Sequence, residues 1–338
     1  MLDWCPWNKP LLEGGVMADK HGPTYFRKSE SADSSYKRAL WDAAFGLQSV
    51  DGLEPSPYAR RLAEDNASGL VSLEQVGNDL ETYYRQERSL SGGRQRTEEA
   101  DKVSHRIVEM LEDGSFALDP HMLSAIHAHL FRGIDDALYL PGAYKSEQLV
   151  KCERILNGDS VLYGPSSLYA RSLEMLFSRE IEHSYAGYDD GAALSRADSN
   201  ALARFVANVW MVHPFREGNT RTVAVFLALY LRSMGFDIGN EAFARHASFF
   251  RAALVRATYQ NRPIGVALDP SHLMLFLSKL VEDPSTPLDY DALWCVPLFE
   301  RPDRVRNVSL ADARPVQEQL MHEGVTQRLL GGGATSAG

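Results

Sequence analysis

Apolar residues recur at helical spacing along most of the chain. Leu40, Ala43 and Leu47 fall on one face of a helix, and the same spacing recurs in the segments 202–209 and 223–231. These last two segments are apolar over so much of their length that both helices are expected to be buried. The pattern therefore predicts a mainly α protein.

Turn and capping residues divide the helical pattern into separate helices. Gly52 and the prolines after it break the first helix, and Gly69 suits the left-handed residue that follows a second one. Ser72 stands at the N-cap position of a third helix. Asp119 and Pro120 mark the start of a later helix.

One stretch departs from the helical pattern. In QLVKCERILNGDSVLYG, two β-leaning runs flank the residues Asn157, Gly158 and Asp159. An Asn-Gly pair between such runs is a strong signal for a short β-hairpin. A single hairpin in an otherwise helical chain calls for a functional explanation.

The charge balance and the cysteine content argue against several classes of protein. The net charge is −10 at pH 7, so a broad nucleic-acid footprint is not expected, although a pocket for one nucleotide is compatible with it. The three cysteines are widely spaced, which predicts neither disulfides nor a zinc site and favours a cytoplasmic location. Since no run of about 18 apolar residues occurs, no membrane span is expected.

The segment HPFREGNTR lies between the two buried helices. The helix start near Asn219 offers backbone N–H groups without internal partners, and Gly218 lets a phosphate approach them. Arg221 adds a fork-shaped cation, and Glu217 suits Mg²⁺ bound between phosphates. His213, as a neutral imidazole, suits removal of a proton from a hydroxyl. This order indicates transfer of a phosphorus-containing group from a nucleotide to an alcohol; the structural alternative is that His213 and Arg221 merely cap core helices.

These residues carry a resemblance to a known family. HPFREGNTR is similar to the Fic signature His-x-Phe-x-(Asp/Glu)-Gly-Asn-Gly-Arg-x-x-Arg, and GAYKSEQLVKCERILNGDSVLYGPSSL resembles the family's hairpin flap and its approach. GFDIGNEAFARHASFFRAALVRATYQN resembles the helices after the signature, so the likeness covers roughly 98–282. The resemblance implies a helical bundle with one β-hairpin flap over the active site. It also implies transfer of AMP from ATP, with Mg²⁺, to a Tyr, Thr or Ser hydroxyl of a target protein.

The resemblance assigns a role to each matching position. The expected roles are the catalytic base, His213; the support of the loop, Phe215; the metal ligand, Glu217; the phosphate cradle, Gly218, Asn219, Thr220 and Arg221; base or ribose contacts, Tyr259 and Asn261; and the target-docking flap, Lys151, Cys152, Glu153, Arg154 and Ile155. Tyr259 is equally well explained as a core aromatic. The flap would hold the target by strand addition, which requires backbone groups more than particular side chains.

Two positions depart from the signature. Thr220 replaces its second glycine, and Ala224 stands where its last arginine would be, which predicts a weaker grip on the γ-phosphate. Two alternative functions follow from these departures. One is a Fic-type phosphotransferase, and the other is a non-catalytic nucleotide-binding or regulatory module.

The N-terminal helices resemble the small antitoxin-like module that inhibits many Fic proteins. The inhibitory motif (Ser/Thr)-x-x-x-Glu-(Gly/Asn) is replaced by Leu47, Asp51 and Gly52. Since the glutamate of that motif pairs with the last arginine of the signature, both partners are altered here. We therefore expect a module of the toxin–antitoxin type that is retained mainly as structure, with its inhibition weakened or rebuilt.

The same patterns suggest a division of the chain. Residues 1–35 are predicted as an N-terminal extension, 36–89 as the antitoxin-like helical module, 98–284 as the Fic domain, and 285–338 as a C-terminal extension with a flexible tail. The polar residues from 89 to 101 are interpreted as a linker. A homo-oligomer is possible, and the sequence does not decide it.

Two other clusters are weaker candidates for metal sites. On a helix, the side chains of His127 and His129 point about 200° apart, so these residues and His121 are not expected to share one ion. The residues YDDG at 188–191 resemble part of a calcium loop, but the remaining ligand spacing is missing. They are predicted to be an ordinary loop.

Overall fold

The computed structural model describes residues 33–91, 96–183, 185, 194–238 and 240–308. Their helices are α1 (Ser34–Gln48), α2 (Pro57–Ala67), α3 (Leu73–Ser91), α4 (Arg96–Asp113), α5 (Pro120–Phe131), α6 (Asp136–Tyr139), α7 (Tyr169–Glu182), α8 (Arg196–Val212), α9 (Asn219–Ser233), α10 (Glu241–Thr258), α11 (Ser271–Val281) and α12 (Val296–Glu300). The mainly α prediction is confirmed. Most of the predicted N-terminal extension, the YDDG segment and the glycine-rich tail lie outside the described residues.

The predicted helix boundaries are confirmed by their capping bonds. The Ser72 hydroxyl accepts a hydrogen bond from the Gln75 N–H at 3.1 Å, and the Asp119 carboxylate accepts one from the His121 N–H at 2.7 Å. Gly69 follows α2 with a φ of 78°. Ser72 and Asp119 thus supply hydrogen-bond acceptors for N–H groups at helix starts. Gly69 adopts the left-handed conformation that follows a helix end.

The site loop is anchored in the centre of the core. It connects α8 to α9, and every residue from Asn219 to Leu231 is buried. Around these two helices, α1 packs mainly against α4 and α10. Leu40 and Trp41 of α1 therefore belong to the same continuous core as α8 and α9.

The interpretation of 89–101 as a linker is wrong for most of its residues. Helix α3 extends into this stretch as far as Ser91, and helix α4 begins at Arg96. Only residues 92–95 of the stretch lie outside the described backbone. The Asp101 carboxylate is fully buried and accepts hydrogen bonds from the Ser56 N–H at 2.7 Å and from the Tyr84 hydroxyl. Polar residues that suggested a solvated linker are partners of buried groups on distant elements.

The predicted β-hairpin is present, with shorter strands than the sequence suggested. Strand β1 (Val150–Cys152) runs antiparallel to β2 (Ser160–Leu162). The connection contains a 3-10 turn at Arg154–Leu156, and Asn157 and Gly158 are both left-handed. The first β-leaning run therefore ends at Cys152 as a strand, because the chain turns inward after it.

Candidate active site

The imidazole of His213 stands at the end of α8 with one nitrogen unpaired. The residue is left-handed (φ 51°), and its Nδ1 lies 3.3 Å from the Trp210 carbonyl oxygen. A carbonyl only accepts hydrogen bonds, so Nδ1 carries the proton and Nε2 keeps its lone pair. Within the described residues, Nε2 is buried and has no hydrogen-bond partner. The ring is stacked on Tyr163, with centroids 3.8 Å apart.

The surroundings keep this imidazole neutral. Burial lowers the pKa of His213 well below its ordinary value, and the nearby charges of Lys145 and Lys151 lower it further. A neutral imidazole with a free lone pair can accept a proton. The imidazole is therefore neutral, and its Nε2 lone pair is able to accept a proton.

A buried lysine holds the backbone around His213. The Lys145 ammonium donates hydrogen bonds to the carbonyls of His213 and Phe215, and the Lys145 N–H donates to the Pro214 carbonyl at 2.9 Å. Burial lowers the pKa of Lys145 to about 8. These contacts neutralise carbonyl dipoles just after α8 and fix the start of the loop.

The remainder of the loop is fixed by Asn219 and His127. The Asn219 side chain accepts from the Phe215 N–H at 3.0 Å and donates to the Phe215 carbonyl at 2.7 Å. Phe215 is buried and stacks on the His127 ring at 3.9 Å. His127 accepts at Nδ1 from the Gly142 N–H at 2.9 Å and donates from Nε2 to the Glu217 carbonyl at 3.0 Å.

Both nitrogens of His127 are thus used within the protein. Burial lowers its pKa to about 4, which keeps the ring neutral. Among the described residues, no group of three or more His, Cys, Asp or Glu side chains is placed to hold a metal ion. In this conformation neither nitrogen of His127 is available to coordinate an ion.

The start of α9 combines a backbone cradle with an accessible carboxylate. Gly218 is left-handed, and a Cβ there would lie 2.3 Å from the Phe131 ring. Glycine therefore allows the first turn of α9, with its free N–H groups, to pack on α5. The Glu217 side chain is 39% exposed, and its carboxylate lies 3.7 Å from the Lys151 ammonium on the flap.

The side chain of Thr220 faces the core. Its hydroxyl accepts a hydrogen bond from the Trp210 indole N–H at 3.0 Å, and both residues are buried. The threonine at this position therefore satisfies a buried donor of α8. In this arrangement the backbone N–H of Thr220, rather than its side chain, belongs to the cradle at the start of α9.

Arg221 is enclosed by side chains from four elements. The guanidinium donates to Gln48 Oε1 at 3.0 Å, to Glu99 Oε1 at 2.9 Å and to the Tyr139 hydroxyl at 3.2 Å. Its Nε lies 2.8 Å from Asp51 Oδ2, at an angle too bent for a hydrogen bond, so this contact is an ion pair. The side chain is only 1% exposed. In this conformation the Arg221 guanidinium is directed away from solvent and bound by protein groups; its contact with a phosphate stays a prediction.

Asp51 forms an ion pair with Arg221. Asp51 ends the 3-10 turn after α1, and Gly52 follows it with a φ of 65°. Ala224 is fully buried in the core, while Asp51 reaches Arg221 one helical turn earlier. The expectation of a weakened or rebuilt inhibition stays a prediction.

Three of the predicted target-docking residues are engaged by the protein itself. Glu153 is buried, and its carboxylate accepts hydrogen bonds from Arg251 at 2.8 and 2.9 Å. The Arg154 guanidinium lies over an indole ring of the C-terminal segment, and the Ile155 carbonyl accepts a backbone hydrogen bond from the same segment. Docking of a target by these three residues stays a prediction; the other two, Lys151 and Cys152, lie in β1.

The predicted base or ribose contacts are also engaged elsewhere. The Tyr259 hydroxyl donates to Asp159 Oδ2 at 2.8 Å, and the Asn261 amide donates to the Tyr259 oxygen at 3.3 Å. Burial raises the pKa of Tyr259 to about 12, so the hydroxyl keeps its proton. Both residues thus anchor the connection between β1 and β2 through Asp159.

Several residues that shape the site were missed by sequence reasoning. They are Gln48, Glu99, His127, Tyr139, Lys145, Tyr163 and Arg251. Glu99 was assigned to a linker, and His127 was considered only as a metal ligand. One sequence signal could have found such residues: a polar side chain on an otherwise apolar helix face, as for His127 in α5. A polar group buried in this way requires hydrogen-bond partners, and these partners lie near the site.

Comparison with known proteins identifies part of the chain. Residues 117–231, from just before α5 to near the end of α9, match the model of the Fic/DOC family. Members of that family generally transfer nucleotide-derived groups to proteins. Searches of curated proteins and of solved structures gave no significant match. Among the helices described, none has the length and apolar character required to cross a membrane.

Proposed function

We propose that this protein is an adenylyltransferase that transfers AMP from ATP to a Tyr, Thr or Ser hydroxyl of a target protein. One observation carries the proposal: His213 has a neutral, buried and unpaired Nε2 beside the free N–H groups at the start of α9. A base and a phosphate cradle in one loop are what hydroxyl attack on a phosphate requires.

In the proposed reaction, His213 Nε2 takes the proton of the target hydroxyl. The hydroxyl oxygen forms a bond to the α-phosphorus of ATP, and the bond between that phosphorus and the bridging oxygen breaks. Pyrophosphate leaves, and AMP remains on the target. The Nδ1–H bond to the Trp210 carbonyl orients the ring and stabilises the imidazolium that forms.

In this proposal Glu217 would hold Mg²⁺. Its exposed carboxylate is an oxygen ligand of the kind that Mg²⁺ prefers, and a single carboxylate suits an ion that shares its other sites with phosphates and water. The ion would neutralise phosphate charge. Gly218 and the first-turn N–H groups of α9 would hold the phosphates, and the Lys151 ammonium provides a further positive charge nearby.

The target would dock as an extended segment on the flap. Strand addition uses backbone groups, and β1 brings Lys151 next to Glu217. The two described cysteines, Cys152 and Cys295, are free thiols, in keeping with a cytoplasmic enzyme. The proposed partners are therefore ATP and a target protein, rather than a nucleic acid.

Labelled ATP separates this proposal from its rivals. Only AMP transfer leaves the α-phosphate on protein, whereas phosphate transfer leaves the γ-phosphate. The hydrogen bond from Trp210 to Thr220 accounts for the threonine without any phosphate chemistry, so we expect α-label alone. Label from the γ-phosphate would support a phosphotransferase, and absence of both label and calorimetric ATP binding would support a non-catalytic module.

A further inference from the structure

The C-terminal segment 290–308, which lies outside the family match, covers the connection between the two strands of the flap. The Cys295 N–H donates to the Ile155 carbonyl at 2.9 Å. The Asn157 amide donates to the Leu298 carbonyl at 3.0 Å. The flap therefore rests on the protein's own C-terminal segment.

The hydrogen-bond register shows which groups of the flap point outward. The Glu153 N–H donates to the Asp159 carbonyl and the Tyr163 N–H to the Leu149 carbonyl, each at 3.1 Å, so these two pairs lie at hydrogen-bonded positions of the ladder. In an antiparallel ladder such pairs alternate with pairs whose N–H groups point away from each other. The pairs Val150–Leu162 and Cys152–Ser160 are of the second kind.

The outer edge of β2 is occupied by the chain itself. The outward N–H of Ser160 donates to the Arg306 carbonyl at 2.9 Å, and the Val308 N–H donates to the Ser160 hydroxyl at 2.9 Å. By contrast, no backbone hydrogen bond within the described residues reaches the outer edge of β1 at Val150 and Cys152.

A buried carboxylate locks this segment in place. Asp159 is fully buried, and its oxygens accept from Arg306 Nε and from the Arg306 N–H, each at 3.2 Å. Tyr259 adds its hydroxyl at 2.8 Å, and the Arg306 guanidinium lies 5.4 Å above the tyrosine ring. A buried carboxylate that depends on these donors would be strongly destabilised by losing the arginine.

We propose that residues 305–308 form a fixed extended segment that braces the flap and covers its β2 edge at Ser160. An extended target segment then docks on the β1 edge, beside Lys151 and Glu217. The choice of edge rests on the proposed function, while the bracing does not. Arg306 and Asp159 are positioning residues, since they act through the flap rather than on the reacting atoms.

The choice of edge is tested by two proline variants at directly opposed positions. Val150→Pro removes an outward N–H from the β1 edge, and Leu162→Pro removes one from the β2 edge, without deleting a hydrogen bond between the strands. A second copy of this chain carrying His213→Ala serves as the target. We expect Val150→Pro to lower its AMP labelling at least tenfold with unchanged ATP affinity, and Leu162→Pro to change it less than twofold. Equal loss in both, or loss only in Leu162→Pro, would overturn the assignment of the edge.

The bracing is tested without any activity measurement. In Arg306→Ala, hydrogen exchange of the Ser160 amide and the 149–163 segment should become at least tenfold faster. Arg304→Ala is the matched control, because this exposed arginine pairs only with its neighbour Asp303 among the contacts described. Flap exchange in Arg306→Ala equal to that of Arg304→Ala would overturn the brace. A different result would be a protein that gains no AMP label while its flap amides stay protected from exchange. That result would contradict the proposed transfer but not the brace.

Discussion

At the scale of single residues, the protonation of the site histidines follows from the groups they face. In His213, Nδ1 faces a carbonyl and Nε2 has no hydrogen-bond partner among the described residues. In His127, Nδ1 faces an N–H group and Nε2 faces a carbonyl. Both rings are neutral, but only His213 has a lone pair free. The difference between a base and a structural support thus lies in their neighbours rather than in the residue type.

The neutral His127 predicts a loss of stability in acid. Its pKa is about 4 in the folded protein and near 6.5 when unfolded, so the unfolded chain binds protons first as the pH falls. The free energy of unfolding should therefore decrease from about pH 6.5 down to about pH 4, by up to about 3 kcal/mol from this residue. Urea unfolding of His127→Gln across this range should show a shallower dependence.

The control for this prediction is His121→Gln, at an exposed position of the same helix. It should keep the full pH dependence of the unaltered protein. If His127→Gln and His121→Gln had the same slope, the buried, neutral His127 would not be a source of the acid sensitivity.

Thr220 is predicted to matter for stability more than for chemistry. Thr220→Val removes the acceptor of the Trp210 indole N–H and leaves a buried donor unpaired, which costs about 1–3 kcal/mol. Thr220→Ser keeps the acceptor and should cost less. Urea unfolding measures both, and equal stability of the valine and serine variants would contradict the role of the hydroxyl.

At the scale of elements, the start of α9 is held by α1, α4, α5 and α6 together. Arg221 joins the turn after α1 to α4 and α6, and its guanidinium lies 4.8 Å above the Phe131 ring of α5. Burial alone would lower its pKa, but the charges around it, with Asp51 first, raise it above its ordinary value. Arg221 therefore stays charged and bound to Asp51 and Glu99.

Release of Arg221 should favour transfer. Asp51→Asn removes one of its two carboxylate partners and keeps the shape of the side chain. Because an ion pair with one partly exposed partner contributes about 1 kcal/mol or less, we expect AMP transfer to rise by at most about fivefold. Asp42→Asn, at an exposed position on α1, is the control. Unchanged or lower transfer in Asp51→Asn would show that the contact is only structural.

Elements set by local signals could be predicted from the sequence, while their long-range contacts could not. The helices, the hairpin and the loop at 213–221 follow from spacing, capping residues and one signature. The ion pair of Glu153 with Arg251 joins residues 98 positions apart, and it turns the chain inward after β1. No local pattern predicts such a pairing, so the length of β1 was overestimated.

The same reason explains the partners of Arg221. They come from α1, α4 and α6, at sequence separations of 173, 122 and 82 residues. The resemblance to a family directed attention to position 224, which is alanine here. The resemblance therefore suggested that an ion pair had been lost, whereas in the structure Arg221 forms one with Asp51.

At the scale of the whole molecule, the N-terminal helices and the rest of the chain share one core. Leu40 and Trp41 are buried, and α1 packs on α4 and α10. A chain lacking residues 1–91 would expose the apolar faces that α1 covers. We expect it to show no cooperative thermal transition by circular dichroism. A cooperative transition with native helix content would contradict the shared core, and deletion would then become a usable test of inhibition.

Intact-mass spectrometry most directly tests the central claim, which is that the protein transfers AMP from ATP to a hydroxyl with His213 as the base. The protein is incubated with ATP and Mg²⁺, alone and with the His213→Ala chain as target, and the added mass is measured. The account predicts a mass increase of one AMP per modified hydroxyl. It also predicts that an incubation in which every chain carries His213→Ala gains at least about a hundredfold less. An added phosphate in place of AMP, or equal modification by the His213→Ala enzyme, would contradict it.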